Sequence, residues 1–341
     1  MKILVTGSAG FIGFHLVNHL MLENVNILGI DNINDYYSVD LKYDRLCQLG
    51  IDRDTIIPGR RVYSQRSPKY SFIQMDIRDV TNVLNVFHDN SFDLVIHLAA
   101  QPGVRYSLEN PQEYIDNNIS GFLNILDACK SYRVPRIIYA SSSSVYGLNK
   151  NQPFSTSQIT DSPLNLYAVT KKTNELMAHA YGSLYGIETV GLRFFTVYGP
   201  WGRPDMAPYL FADAISCERS INVYNSGDME RDFTYVSDIV NGIVSLAIDS
   251  SELNSKSSIF NIGNGKPINL LRFIEILETE FGKKAKKNFM SMQPGDIKST
   301  WASTFDFERI TGTKAEVSLE EGVKEFVNWF KTYRGINVGE D

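Results

Sequence analysis

The sequence predicts an α/β protein, a doubly wound parallel sheet followed by a smaller C-terminal segment. Three observations carry that expectation. Over the first two thirds, short apolar runs alternate with helical stretches, the order of a parallel sheet covered on both faces. Gly7, Gly10 and Gly13 stand where the first run turns into the first helix. After about residue 193 the rhythm changes, with Pro200, Pro204 and Pro208 surrounding Gly199 and Gly202, which reads as loop. Residues 1–192 are therefore expected to form the sheet domain, with segments near 236–262 returning to it. Residues 193–341 are expected to form the smaller domain.

In order, the strand candidates are Ile3–Thr6, Val25–Ile30, Ser71–Met75, Leu94–Leu98, Arg136–Ala140 and Thr189–Arg193, each a short apolar run. Between them, apolar residues at helical spacing mark Phe11–Leu22, Val80–Phe87, Tyr114–Ser131 and Tyr167–Tyr185. Ile51–Lys69 is polar, with four arginines and two prolines, and reads as a surface insertion. The C-terminal part is expected to hold two or three helices and short strands, with Val236–Ile248 packing back on the sheet domain.

Composition narrows the function. With 341 residues, 43% hydrophobic and 21% charged, the chain can bury a sizeable core. Its 33 Lys+Arg against 39 Asp+Glu give a net charge of −6, so no basic field recruits nucleic acid or anionic lipid. The three cysteines, Cys47, Cys129 and Cys217, fit neither a disulfide framework nor a metal knuckle and suit a reducing cytosol. No signal-peptide or membrane-spanning apolar run occurs. Metal-ligand clusters and a GxSxG elbow are also missing.

Gly7, Gly10 and Gly13 are spaced GxxGxxG. Glycines let the backbone turn tightly and approach a pyrophosphate, whose charge meets the free N–H groups of the helix start. The spacing varies from the usual fingerprint, and tight helix packing alone would also use glycines. Asp31 adds a second signal. It ends the second strand, where a carboxylate accepts hydrogen bonds from the adenosine ribose. It would repel a 2′-phosphate, and Asn32 and Ile33 offer no cation, so NAD is favoured over NADP. A turn or capping role for Asp31 is the alternative. Asp76-Ile77, at the end of the third strand, could flank the adenine.

Tyr167 and Lys171 form a YxxxK pair on one helix face. A phenol with a pKa of about 10 is a poor base at neutral pH. A nearby ammonium and a nicotinamide cation would favour the phenolate. Ser142, in the Ser141–Ser144 run after the fifth strand, belongs at the same carboxyl edge.

With these residues the chain resembles the extended short-chain dehydrogenase/reductases, and within them the nucleotide-sugar 4-epimerases of the uronic-acid type. TGSAGFIG, IDNINDYY, HLAAQPGVRYS, YASSSSVYG, LYAVTKK, LRFFTVYGPWGRPDMA, GDMERDFTYVSDI and QPGDI follow in order over nearly the whole chain. The resemblance implies a Rossmann domain holding NAD tightly, reduced and reoxidised within each turnover. It implies that Tyr167 takes the proton of the sugar C4 hydroxyl, Ser142 orients that hydroxyl, and Lys171 stabilises the phenolate and grips the nicotinamide ribose. Along the cofactor it puts Phe11, Ile12, Asn32 and Asn34, then Leu98, Ala100 and Gln101, with Asn118 in support. A homodimer through the helices near Tyr114–Ser131 and Tyr167–Tyr185 is implied too.

For the substrate, the resemblance implies a UDP-sugar, UDP-glucuronate converted to UDP-galacturonate, of the kind that feeds polysaccharide synthesis. Ser143, Ser144 and Thr196 would lie near C6, and Val104 is a further substrate-binding position. Neutral hydroxyls there can hold a carboxylate so that the 4-keto intermediate does not lose carbon dioxide. Thr196 stands where glucose-type enzymes usually have Asn. Arg105 and Arg203 are candidates for carboxylate binding or site closure, or are structural arginines. Arg231 would pair with the diphosphate, Tyr224 would stack on uracil or serve as a core aromatic, and Asp296 would bind the uridine ribose. Gln293 stands where an arginine is common, which leaves less charge on the diphosphate. A dehydratase would need Asp-Glu in place of Ser143-Ser144. A UDP-glucose or UDP-N-acetylglucosamine epimerase, and a non-catalytic NAD-binding sensor, are the other readings.

Overall fold

The computed structural model describes residues 1–248, 253, 255–292 and 297–336. Its first half follows the expected alternation. β1 (Lys2–Thr6) leads into α1 (Phe11–Leu20), β2 (Asn26–Asp31) into α2 (Val39–Gln48), and β3 (Arg61–Tyr63) and β4 (Tyr70–Gln74) into α3 (Val80–His88). After β5 (Leu94–His97), the short α4 (Tyr106–Glu109) and α5 (Pro111–Tyr114) run through a π-helical turn, Ile115–Ser120, into α6 (Gly121–Ser131). Next come β6 (Arg136–Ser142), α7 (Leu166–Tyr185) and β7 (Glu188–Phe194).

Beyond β7 lie β8 (Thr196–Tyr198), α8 (Ala207–Ser216), β9 (Ser220–Tyr224), β10 (Glu230–Arg231) and β11 (Phe233–Tyr235). Then follow α9 (Val236–Ile248), β12 (Ser257–Ile262), β13 (Ile268–Asn269) and α10 (Leu270–Phe281). β14 (Lys286–Met290), β15 (Ser299–Thr300), α11 (Phe305–Thr311) and α12 (Leu319–Tyr333) complete the order. The C-terminal part thus has more helices than expected.

The main sheet runs β12-β7-β6-β5-β1-β2-β4-β3. Every pair is parallel except β3 with β4. This is a Rossmann-like α/β architecture. Helices cover both faces, which is why the central strands are apolar throughout. Chain order reverses between β1 and β5, and a crevice opens there at the carboxyl edge.

Two elements depart from the sequence expectation. The Ile51–Lys69 segment is not wholly superficial: Ile51 is fully buried and β3 extends the sheet edge. Its polar composition hides a strand that faces solvent along one side. α2 was absent from the helix candidates because its buried positions include Lys42 and Arg45 beside Leu41 and Leu46, which blurs the apolar stripe.

Packing explains how the later chain supports the first half. α9 lies on α1, with Ile239, Val240 and Ile243 in one core with Phe14 and Val17. Val236–Ile248 thus packs against the helix that follows the first strand. A separate core around Phe211, Phe273, Phe326 and Phe330 joins α8, α10 and α12. α7 is well delimited: the Asn165 side chain accepts from Ala168 N at its start, and Gly186 takes the left-handed conformation at its end.

Candidate active site

A cleft of about 360 Å³ follows the carboxyl edge and is lined from β1 through β7 and on to Met206. Gly7 and Gly10 of the turn after β1, and Phe11, Ile12 and Gly13 at the start of α1, line it. Gly10 begins α1 without any side-chain cap, so the first-turn N–H groups are open to an anion. A Cβ on Gly13 would stand 2.1 Å from Gly7 O, and one on Gly7, at φ +72°, would stand 2.8 Å from Ala99 N. The loop is therefore built for close backbone approach, and these residues fit a dinucleotide pyrophosphate.

Asp31 is buried. It accepts from Ala9 N at 3.2 Å and Ile33 N at 2.8 Å, and it also lines the cleft. Its carboxylate shapes the turn and keeps further acceptor capacity for a ribose. Asn32, Asn34, Ile77, Leu98 and Ala100 line the same end. Asp76 does not: it binds Arg78 at 2.9 Å and accepts from Asn32 at 3.1 Å, leaving Met75 and Ile77 as the wall. Gln101 and Asn118 act behind the wall. Asn118 Oδ1 accepts from Gln101 N at 2.7 Å, and its Nδ2 donates to Gln101 O and Thr170 Oγ1.

Ser142, Tyr167 and Lys171 line the same cleft, with Ser142 hydrogen-bonded to Tyr167. β6 delivers Ser142 at its last residue, while α7 delivers the other two from its first turns. Lys171 Nζ donates to Ala140 O at 2.8 Å and lies 6.0 Å from the Tyr167 ring centre. Burial pushes the Tyr167 phenol above its usual range, while a hydrogen bond with Ser142 and the Arg203 charge pull it down. Burial lowers the Lys171 ammonium to about 8.

The Lys171 shift has a sign that can be tested. Below its folded-state value the group is protonated whether folded or not, and burial of that charge is unfavourable. Between about 8 and its usual 10.5, the unfolded chain holds a proton that the folded one has released, so stability rises with pH. Thermal unfolding from about pH 7 to about pH 10 is expected to show a smaller pH-dependent gain for Lys171→Met than for wild type.

Ser143, Ser144, Thr196, Val104 and Arg203 also line the cleft. Ser142 Oγ and Ser144 Oγ are 3.2 Å apart. Arg203 is already paired: its Nε donates to Asp205 at 3.0 Å, and Tyr36 OH donates to the same carboxylate at 3.1 Å. Arg105 and Tyr224 lie outside the lining but touch each other, the guanidinium 5.2 Å from the ring centre. Arg231 donates to Glu230 O and Lys298 O beside β15. Gln293 and Asp296 lie outside the described residues.

A family model of the NAD dependent epimerase/dehydratase family matches residues 3–263. The chain belongs to that family. Protein CapI of Staphylococcus aureus is 46% identical over 347 residues, covering 98% of this chain and 99% of its own. A probable UDP-glucuronate 4-epimerase of Rhizobium meliloti (strain 1021) is 41% identical over 350 residues, covering 98% of each. Among solved structures, UDP-glucuronic acid 4-epimerase from Bacillus cereus, in complex with UDP-glucuronic acid and NAD, is 34% identical. Its TM-score is 0.87, with 98% of this chain and 100% of that one covered.

Some residues of this epimerase-family site escaped sequence reasoning. Lys42, on α2, lines the cleft beside Asn34 and donates to Asn34 O at 2.7 Å. Arg45 is fully buried and donates to Ala9 O at 3.0 Å and Trp201 O at 2.6 Å. It ties the glycine loop to the segment that carries Arg203. His15 Nε2 contacts Pro200 O at 2.8 Å beside it, with its pKa lowered to about 4 chiefly by burial. The IDNINDYY block preceding α2 was the available signal, but the cations follow it by several residues.

Proposed function

We propose that this protein is an NAD-dependent 4-epimerase of a UDP-sugar, interconverting UDP-glucuronate and UDP-galacturonate through a 4-keto intermediate. The carrying observation is that Ser142, Tyr167 and Lys171 share one cleft with a second set of neutral hydroxyls, Ser143, Ser144 and Thr196. Gly7–Gly13 and Asp31 would hold NAD, which would supply the hydride acceptor and donor for C4. Tyr167 holds the proton of the C4 hydroxyl meanwhile, and returns it to the reduced oxygen. Ser142 orients that oxygen. Lys171 offsets the phenolate charge and grips the nicotinamide ribose. Ser143, Ser144 and Thr196 hold the C6 carboxylate so that the C5–C6 bond stays out of line with the ketone π system. Arg203, neutralised by Asp205, closes the wall here without adding a net charge. Val104 lines the cleft with these hydroxyls; Arg105, which lies against the Tyr224 ring, Tyr224 and Arg231 are assigned to the nucleotide half, with Gln293 and Asp296. Turnover of UDP-glucuronate, compared with UDP-glucose and UDP-N-acetylglucosamine, tests the assignment. Conversion of the neutral sugars alone would replace the uronate reading.

A second copy of the chain is the proposed partner. Leu123 on α6 and Val169, Leu176 and Leu184 on α7 are exposed, Leu176 at 59% and Leu184 at 72%, which suits a four-helix contact between copies. Sedimentation is expected to give a dimer, and Leu176→Glu a monomer. A wild-type monomer would contradict the pairing. Among the described residues, no helix is long and apolar enough to cross a membrane, and the three cysteines are unpaired. Both observations support a cytoplasmic setting.

A further inference from the structure

Beneath the cleft lies an ion pair that the reaction described above does not use. Glu175, one turn beyond Lys171 on α7, and Arg193, next to the last residue of β7, are 3% and 2% exposed. Arg193 Nε and Nη2 donate to the two Glu175 carboxylate oxygens, each at 2.8 Å. Ser141 Oγ donates to the same carboxylate at 2.7 Å. Ser141 is paired with Arg193 across β6 and β7, as Ser142 is with Phe194. The Glu175 carboxylate thus ties α7, just beyond Lys171, to β6 just before Ser142 and to β7 just before Thr196.

The arrangement continues outward. The Arg193 guanidinium lies 4.8 Å from the Tyr146 ring centre. Tyr146 OH donates to Asn261 Oδ1 at 2.6 Å, and Asn261 Nδ2 donates to Phe154 O at 2.7 Å. A buried ion pair is weak as a source of stability, because an apolar pair of similar volume often serves as well. What apolar groups lack is direction. Bidentate charge-assisted hydrogen bonds fix angle as well as distance, and catalysis by positioning is sensitive to shifts of a fraction of an ångström.

We propose that Glu175, with Arg193 and Ser141, is a positioning residue that sets the placement of Ser142 against Tyr167 and Lys171. The proposal rests on the epimerase reading of the cleft. It acts on the chemical step: the nucleotide half of the substrate is held by other segments, so kcat should fall while KM stays put.

The test uses the full chain in two forms. In Glu175→Leu/Arg193→Met both charges are replaced together, so no buried charge is left alone. In Ser141→Ala the ion pair remains and only the link to β6 is cut. With UDP-glucuronate as substrate, the folded double variant is expected to lose about 100-fold in kcat, with KM within about threefold of wild type. Ser141→Ala is expected to lose about tenfold in kcat, with KM likewise unchanged. Thermal unfolding and bound NAD, measured on the same samples, establish that the fold and cofactor site are intact. A folded double variant with wild-type kcat would overturn the proposal and leave the pair purely structural. If the double variant does not fold, Ser141→Ala decides, and an unchanged kcat overturns it. Wild-type protein without turnover of any UDP-sugar would instead fail the epimerase reading itself, and this proposal with it.

Discussion

Replacing Tyr167 with phenylalanine is expected to lower kcat for UDP-glucuronate by about a thousandfold, within the range of a positioned acid–base group. The substitution removes one oxygen and keeps the ring. That ring meets Tyr114 edge-on, with centres 6.2 Å apart, so packing in the cleft is preserved. Lost are the group that Ser142 and Arg203 draw toward ionisation against the effect of burial and the proton's place during hydride transfer. Ser142 cannot substitute, since a serine hydroxyl is a far weaker acid than a phenol. Bound NAD and thermal unfolding should match wild type, which separates a lost reaction from a lost fold. Full activity in Tyr167→Phe would contradict the assignment.

Gly13→Ala is the second large effect, and it acts on the cofactor instead. The added methyl would stand 2.1 Å from Gly7 O, 2.9 Å from Gly7 C and 3.0 Å from Ser8 Cα. All three are backbone atoms, so no side chain can swing away. The loop itself must move, and it is pinned on the other side, where Gly7 N donates to Ile30 O at 2.8 Å. Forced overpacking costs about 1–3 kcal/mol, and the movement falls on the N–H groups that would face the pyrophosphate. NAD affinity is expected to drop by about 100-fold, the upper end of that range. The NAD released on denaturing equal amounts of wild type and variant measures this, and equal amounts would contradict it.

How much of this was legible in the sequence differs by element. The strands and the glycine turn could be read because an apolar run must be buried on both faces and a tight turn needs glycine. Ser142, Tyr167 and Lys171 could be read because spacing and strand order put them at one edge. α2 could not, since two of its buried residues are cations whose partners, Asn34 and Trp201, are fixed only by the fold. β3 was hidden for a related reason: an edge strand needs no apolar face. The Arg203 charge and the carboxylate two residues beyond it, Asp205, are adjacent in sequence, but the Tyr36 bond to that carboxylate, from 169 residues away, is fixed only by the fold. Asp76 shows the reverse case. The apolar run before it suggested a cofactor contact for Asp76, while its carboxylate is turned to Arg78, and the neighbouring Met75 and Ile77 line the cleft.

The most direct measurement is proton NMR of UDP-glucuronate incubated with the purified protein and no added NAD. A new anomeric signal from the axial 4-hydroxyl epimer is expected, settling to a mixture of the two uronates, with NAD carried through purification. Formation of UDP-xylose or a 4-keto pentose would contradict the assigned role of Ser143, Ser144 and Thr196 in holding the carboxylate. A spectrum unchanged even after NAD is added would contradict the epimerase itself.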